Sequence, residues 1–106
     1  MKIAVYGSLK RGKYNHPILS DQKFLGDTTV IGTLYSVGAY PALVDEGDNV
    51  YPAEIYEVSP EVYSAIRGME LGAGYVEKVV DGNIVYYAGE YLAQRCKNNL
   101  KVIESY

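Results

Sequence analysis

Side chains that bind metals through nitrogen or sulfur, or form disulfides, are nearly missing from this 106-residue chain, which has one cysteine, Cys96, and one histidine, His16. A lone cysteine can form no intrachain disulfide, so the expected compartment is a reducing one, the cytoplasm. There is no cluster of nitrogen and sulfur donors and no carboxylate spacing resembling a calcium loop, so no metal and no other cofactor is expected. Basic residues are few and scattered: ten Lys and Arg against thirteen Asp and Glu leave a net charge of -3. That balance offers no footprint for a phosphate backbone or an anionic bilayer, so neither a nucleic acid nor a membrane is an expected partner. No run of about 18 apolar residues occurs, and the apolar opening Met1 to Tyr6 is far shorter than a signal-peptide core. Tryptophan is absent, and a single phenylalanine stands beside twelve tyrosines. Tyrosine fills apolar space while its hydroxyl seeks a partner, which suits core, interfaces and half-wet pocket walls.

What is present fits one globular domain, residues 1–106, with 48% hydrophobic and 22% charged residues, folding as a monomer or small homo-oligomer. Lys2 to Tyr6, bounded by Gly7, reads as a buried first strand. Thr28 to Val37 and Val50 to Val58 are rich in β-formers and read as strands, with Gly32 marking a bulge or a close backbone approach. Val76 to Val80 and Ile84 to Leu92 flank Asp81-Gly82-Asn83, a strong hairpin signal. One helix is well signalled: Ser59 caps it, Pro60 takes its first position and Glu61 its first turn. Val62, Ala65, Ile66 and Met69 form its expected core stripe, and Gly72-Ala73-Gly74 ends it. Gln94 to Asn99 reads as a loose loop or a short helix. Many short strands with hairpin links predict an α+β fold, a small mixed β-barrel with one main helix packed on it.

Two stretches carry candidate chemistry. Gly7, Gly12 and Lys13 match the frame of a phosphate-binding loop, yet Tyr14 stands where Ser or Thr would hold Mg²⁺, and Pro17 follows where that motif needs a helix. The same turn can instead aim successive backbone N–H groups into a cavity, a nest for a carboxylate or a developing oxyanion, with an ordinary strand-to-loop turn as the plainer alternative. Glu70 lies in the last turn of the predicted helix, where the dipole disfavours an acid, so a functional role competes with that of a solvated helix end. His16 has no paired nucleophile and reads as loop structure. Glu54 faces either a cavity or solvent, and Cys96 reads as a small hydrophobe or a surface thiol.

The stretch Tyr6-Gly7-Ser8-Leu9 resembles the substrate loop of the gamma-glutamylcyclotransferase-like family, which includes AIG2-like proteins. In order, Lys10-Arg11-Gly12 with Asn15-His16, Phe24-Leu25-Gly26, Gly32-Thr33-Leu34-Tyr35, Tyr40-Pro41-Ala42-Leu43, Glu54 to Val58 and Met69-Glu70 followed by Gly74-Tyr75 continue the likeness over nearly the whole chain. The resemblance implies that Glu70 is the catalytic base, that Tyr6, Gly7, Ser8 and Leu9 bind substrate, and that Tyr75 lines the pocket. It further implies cyclisation of a small gamma-glutamyl amine or amide to 5-oxoproline without a cofactor; a non-catalytic ligand-binding module on the same fold is the alternative. Three positions depart from the family pattern. Ala53 stands for a usual Gly, Arg67 for a usual Asp, and Glu77 for a usual Arg.

Overall fold

Lys2–Val5 forms the first strand, β1, and it is the centre of the molecule in a computed structural model that describes residues 1–106. Ile3 and Val5 pack to one side of it and Ala4 and Tyr6 to the other, so both faces of this strand are buried. A single 3₁₀ turn, His16–Leu19, follows the first loop. The long hairpin of β2 (Lys23–Ser36) and β3 (Pro41–Glu57) comes next. It is longer than the expected strands because backbone pairing continues through Lys23 and Asp27 at one end and resumes at Val44 beyond the acidic stretch Asp45 to Asp48, whose polar side chains hide the strand pattern. Gly32 pairs with Asn49 and Thr33 with Val44, so residues 45–48 bulge out of the ladder. The expected close approach occurs there: a Cβ on Gly32, whose φ is 154°, would lie 2.5 Å from the Val44 carbonyl oxygen.

The first α-helix, α1, spans Pro60–Gly72, with the Ser59 hydroxyl accepting the Val62 N–H at 3.2 Å. Strands β4 (Tyr75–Val80) and β5 (Asn83–Ala88) form the predicted hairpin. Asp81 and Gly82 both take positive φ, 53° and 80°, as a two-residue turn of this hand requires. Strand β5 stops at Ala88 and does not reach Leu92. Gly89 caps a second helix, α2 (Glu90–Asn99), which buries Leu92 and Cys96 one turn apart among polar neighbours that mask its period. Cys96 is thus a buried core residue.

The strand order is β2-β3-β1-β5-β4, mixed because β1 runs parallel to β5 and all other pairs are antiparallel. The α+β class holds, but the sheet is not closed into a barrel: β2 and β4 remain edges. Asp45 on β3 nevertheless reaches Lys78 on β4, so side chains close the curve that backbone pairing leaves open. Ile66, Leu92 and Cys96 of the helices cover one face of the sheet. The last residues cover part of the other, with the Ile103 N–H donating to the Leu34 carbonyl at 2.8 Å and Ile103 and Tyr106 packed on that core. No helix is long and apolar enough to cross a membrane.

Candidate functional site

Where β1 ends, the chain turns through Tyr6 to Leu9 and lines a cavity of about 140 Å³. The start of β3, the end of α1, the start of β4 and the middle of β5 supply the remaining walls. Nine of the fourteen lining residues are hydrophobic, and Glu70 is the one charged side chain among them.

The turn is held by its carbonyls. Gly7 O accepts the Lys10 N–H at 3.0 Å, Ser8 O accepts the Asn15 N–H at 2.8 Å, and the Asn15 amide also donates to Ser8 Oγ at 3.0 Å. The N–H groups of Gly7, Ser8 and Leu9 donate to no acceptor in the chain. Gly7 and Leu9 are buried, Ser8 is half-buried, and all three line the cavity, so these donors are free for a ligand. Gly7 is needed there because a Cβ would lie 2.8 Å from Pro41 Cγ.

Helix α1 turns a different stripe to the core from the expected one. Ile66 is buried, Val62, Tyr63 and Glu70 are half-buried, while Ala65 and Met69 are exposed. Glu70 therefore stands one turn after Ile66 on the inward side. Its carboxyl has no cation within 4.0 Å and no hydrogen-bonding partner in the chain, and burial pushes its pKa up to about 7. Leu71 is exposed and does not line the cavity, whereas the wall around the carboxyl, Met69 included, supplies this desolvation.

The two tyrosines assigned to the site are committed to the backbone. Tyr6 donates to the Tyr86 carbonyl at 2.6 Å and accepts the Leu43 N–H at 3.2 Å, and Tyr75 donates to the Pro41 carbonyl at 2.7 Å. Burial raises the pKa of both, so neither ionises near neutrality. Glu70 is the group that can exchange a proton there.

Tyr6, Gly7, Ser8, Leu9, Glu70 and Tyr75, the six expected site residues, all line this one cavity. Asn15, Tyr40, Pro41 and Tyr86 line it as well. The first three stand in stretches that carried the resemblance, and Tyr86 was missed; its alternation with Ile84 on β5 was the available signal. His16 and Glu54 lie outside. His16 Nδ1 bonds the Leu9 carbonyl at 3.0 Å, and Glu54 accepts the Arg11 N–H at 2.9 Å and the Tyr56 hydroxyl at 3.0 Å, so both brace the loop from behind.

A family model described as gamma-glutamyl cyclotransferase, AIG2-like, matches residues 3–105. The chain belongs to that family. The Pyrococcus horikoshii protein PH0828 is 37% identical over 75 residues, covering 71% of this chain and 64% of that protein. The gamma-glutamylcyclotransferase family protein YtfP of Escherichia coli is 29% identical over 106 residues, covering 99% of this chain and 93% of YtfP. The crystal structure of an aig2-like protein from Mus musculus superposes with a TM-score of 0.77 at 25% identity, covering 99% of this chain and 86% of that one.

Against the family pattern, Arg67 and Glu77 are not independent departures. Arg67 Nε lies 3.4 Å from Glu77 Oε1, so the two residues pair with each other. Ala53 is buried in the second core with Tyr51, away from the cavity.

Proposed function

We propose that this chain is a cytoplasmic gamma-glutamylcyclotransferase that closes a gamma-glutamyl amine or amide to 5-oxoproline and releases the amine. One juxtaposition carries the reading: a carboxyl without a cation partner, titrating near neutrality, shares a largely apolar cavity with three unpaired backbone N–H groups.

The substrate's α-ammonium must lose a proton before its nitrogen can attack the γ-carbonyl carbon, and ionised Glu70 accepts that proton. The new C–N bond closes a five-membered ring, and the carbonyl oxygen becomes an oxyanion within reach of the Gly7, Ser8 and Leu9 N–H groups. When the intermediate collapses, the C=O bond re-forms, the bond to the leaving nitrogen breaks, and Glu70 passes its proton to that nitrogen. The lactam nitrogen keeps one of the three ammonium protons and the other two leave with the amine as its ammonium, so no co-reactant is needed. Nucleophile and electrophile belong to one molecule, so holding it folded is much of the catalysis.

Incubation with gamma-glutamyl amino acids, gamma-glutamyl amines and glutathione, followed by mass-spectrometric detection of 5-oxoproline, tests this. At least one of them should yield 5-oxoproline together with its free amine. No 5-oxoproline from any of them, combined with a rise in melting temperature on adding them, would favour the binding module instead.

A further inference from the structure

We propose that Glu77 is a positioning residue, whose carboxylate ties α1, at Tyr63 and Arg67, to β4 and β5 and so keeps the Glu70 carboxyl inside the cavity. The proposal rests on Glu70 being the base. A single oxygen, Glu77 Oε1, accepts the Tyr63 hydroxyl at 2.7 Å and the Tyr86 hydroxyl at 2.8 Å, with Arg67 Nε at 3.4 Å. Tyr63 and Arg67 are one turn apart on α1, and Glu70 follows Arg67 by three residues, so all three lie on adjoining turns of one helix side. Tyr86 connects this cluster to the cavity, because it lines the wall and its carbonyl holds the Tyr6 hydroxyl.

Beyond these contacts α1 has little to hold it to the sheet. Ile66 is its one fully buried residue, and Met69 and Leu71 are each more than a third exposed. Glu77 stays ionised while Glu70 titrates: burial opposes its charge, but the two phenol hydrogen bonds and Arg67 outweigh burial and hold its carboxyl below the usual range. The groups facing Glu70 from the packed elements are the phenols Tyr6, Tyr40, Tyr75 and Tyr86, and no second acid or base lines the cavity. Arg67, on the same helix, is spent on Glu77. The titration of Glu70 therefore reports how well α1 is seated.

The test is NMR titration of ¹³C-carboxyl-labelled Glu70 in wild type, Glu77→Ala and Glu77→Gln, alongside kcat and KM. In Glu77→Ala the Glu70 midpoint should fall by about a unit or more toward the ordinary 4.5 as water enters. Turnover should drop on the order of 10- to 10²-fold, mainly in kcat. Glu77→Gln keeps an acceptor for both hydroxyls and should retain most of the raised midpoint. Should Glu77→Ala fail to fold, the double change Tyr63→Phe with Tyr86→Phe keeps both rings, removes both donors and should move the midpoint the same way. An unmoved Glu70 midpoint in Glu77→Ala, or in the double variant should Glu77→Ala not fold, would overturn the proposal. The titration needs no substrate, so an inactive wild type would count against cyclotransferase activity alone, and the Glu77 result would still be read.

Discussion

At Glu70 two demands conflict: a proton acceptor must be ionised, yet the cavity that seats it excludes the water that would stabilise its charge. A midpoint of about 7 lies between these demands, leaving a usable fraction ionised while making the carboxylate a stronger base than an exposed one. Glu70→Gln preserves shape and removes proton acceptance, so steady-state kinetics should show turnover down about 10²-fold or more with the fold retained by circular dichroism. Turnover close to wild type would remove Glu70 from the mechanism. The acid limb follows with a definite sign. Below its midpoint Glu70 holds its proton and cannot take another, so kcat/KM should fall as pH drops through about 7, and a limb centred near the ordinary 4.5 would contradict the assignment. The sequence pointed to this residue through its place at the wrong end of a helix dipole. It put Ala65 and Met69 on the core stripe and left Glu70 off it, because which side of α1 faces inward is decided by the sheet.

In the proposed reaction the loop from Tyr6 to Leu9 acts through its backbone, and changes at positions 7 and 8 test that differently. A valine at position 7 would drive its Cβ into Pro41, whose carbonyl also anchors Tyr75, so the wall and the nest should distort together. Ser8→Ala removes one hydrogen bond from Asn15, a loss of about 1 kcal/mol. Titration with a gamma-glutamyl ligand should show binding lost in Gly7→Val and kept within a few-fold in Ser8→Ala; equal tolerance of both would make this loop an ordinary turn. At this scale the legible elements are those whose signals are local: the Asp81-Gly82 turn and the Ser59-Pro60 helix start are written in adjacent residues. Helix α2 is not, because its two buried residues, Leu92 and Cys96, sit among six polar ones. Nor was the pairing of Arg67 with Glu77, since each looked like a separate departure until α1 lay against β4.

The cavity itself exists only in the whole molecule. Residues 6–9, 40–41, 69–75 and 86 meet because β1 lies between β3 and β5, and no local pattern encodes that order. Folding therefore forces Glu70 into a place that its own helix would not choose, and stability should register this. In the unfolded chain its pKa is the ordinary 4.5, and in the folded protein about 7. Between those values the folded state keeps a proton that the unfolded state has lost, so stability falls as pH rises through this window and levels off above it. The contribution is fully present below 4.5. Glu54 and Glu77 run the other way: each is held below the usual range, so their contribution is lost only as pH falls under the ordinary carboxylate value, a separate window. Subtracting wild type from Glu70→Gln isolates the Glu70 part, and the pH-independent cost of burying an unpaired amide cancels between pH values. Calorimetric melting should then show the variant gaining on wild type from about pH 4 to about pH 8, by a relative amount on the order of 1–3 kcal/mol. A difference that stays flat across that range would mean that Glu70 is as well solvated in the folded protein as out of it, and the cavity would lose its claim on this carboxyl.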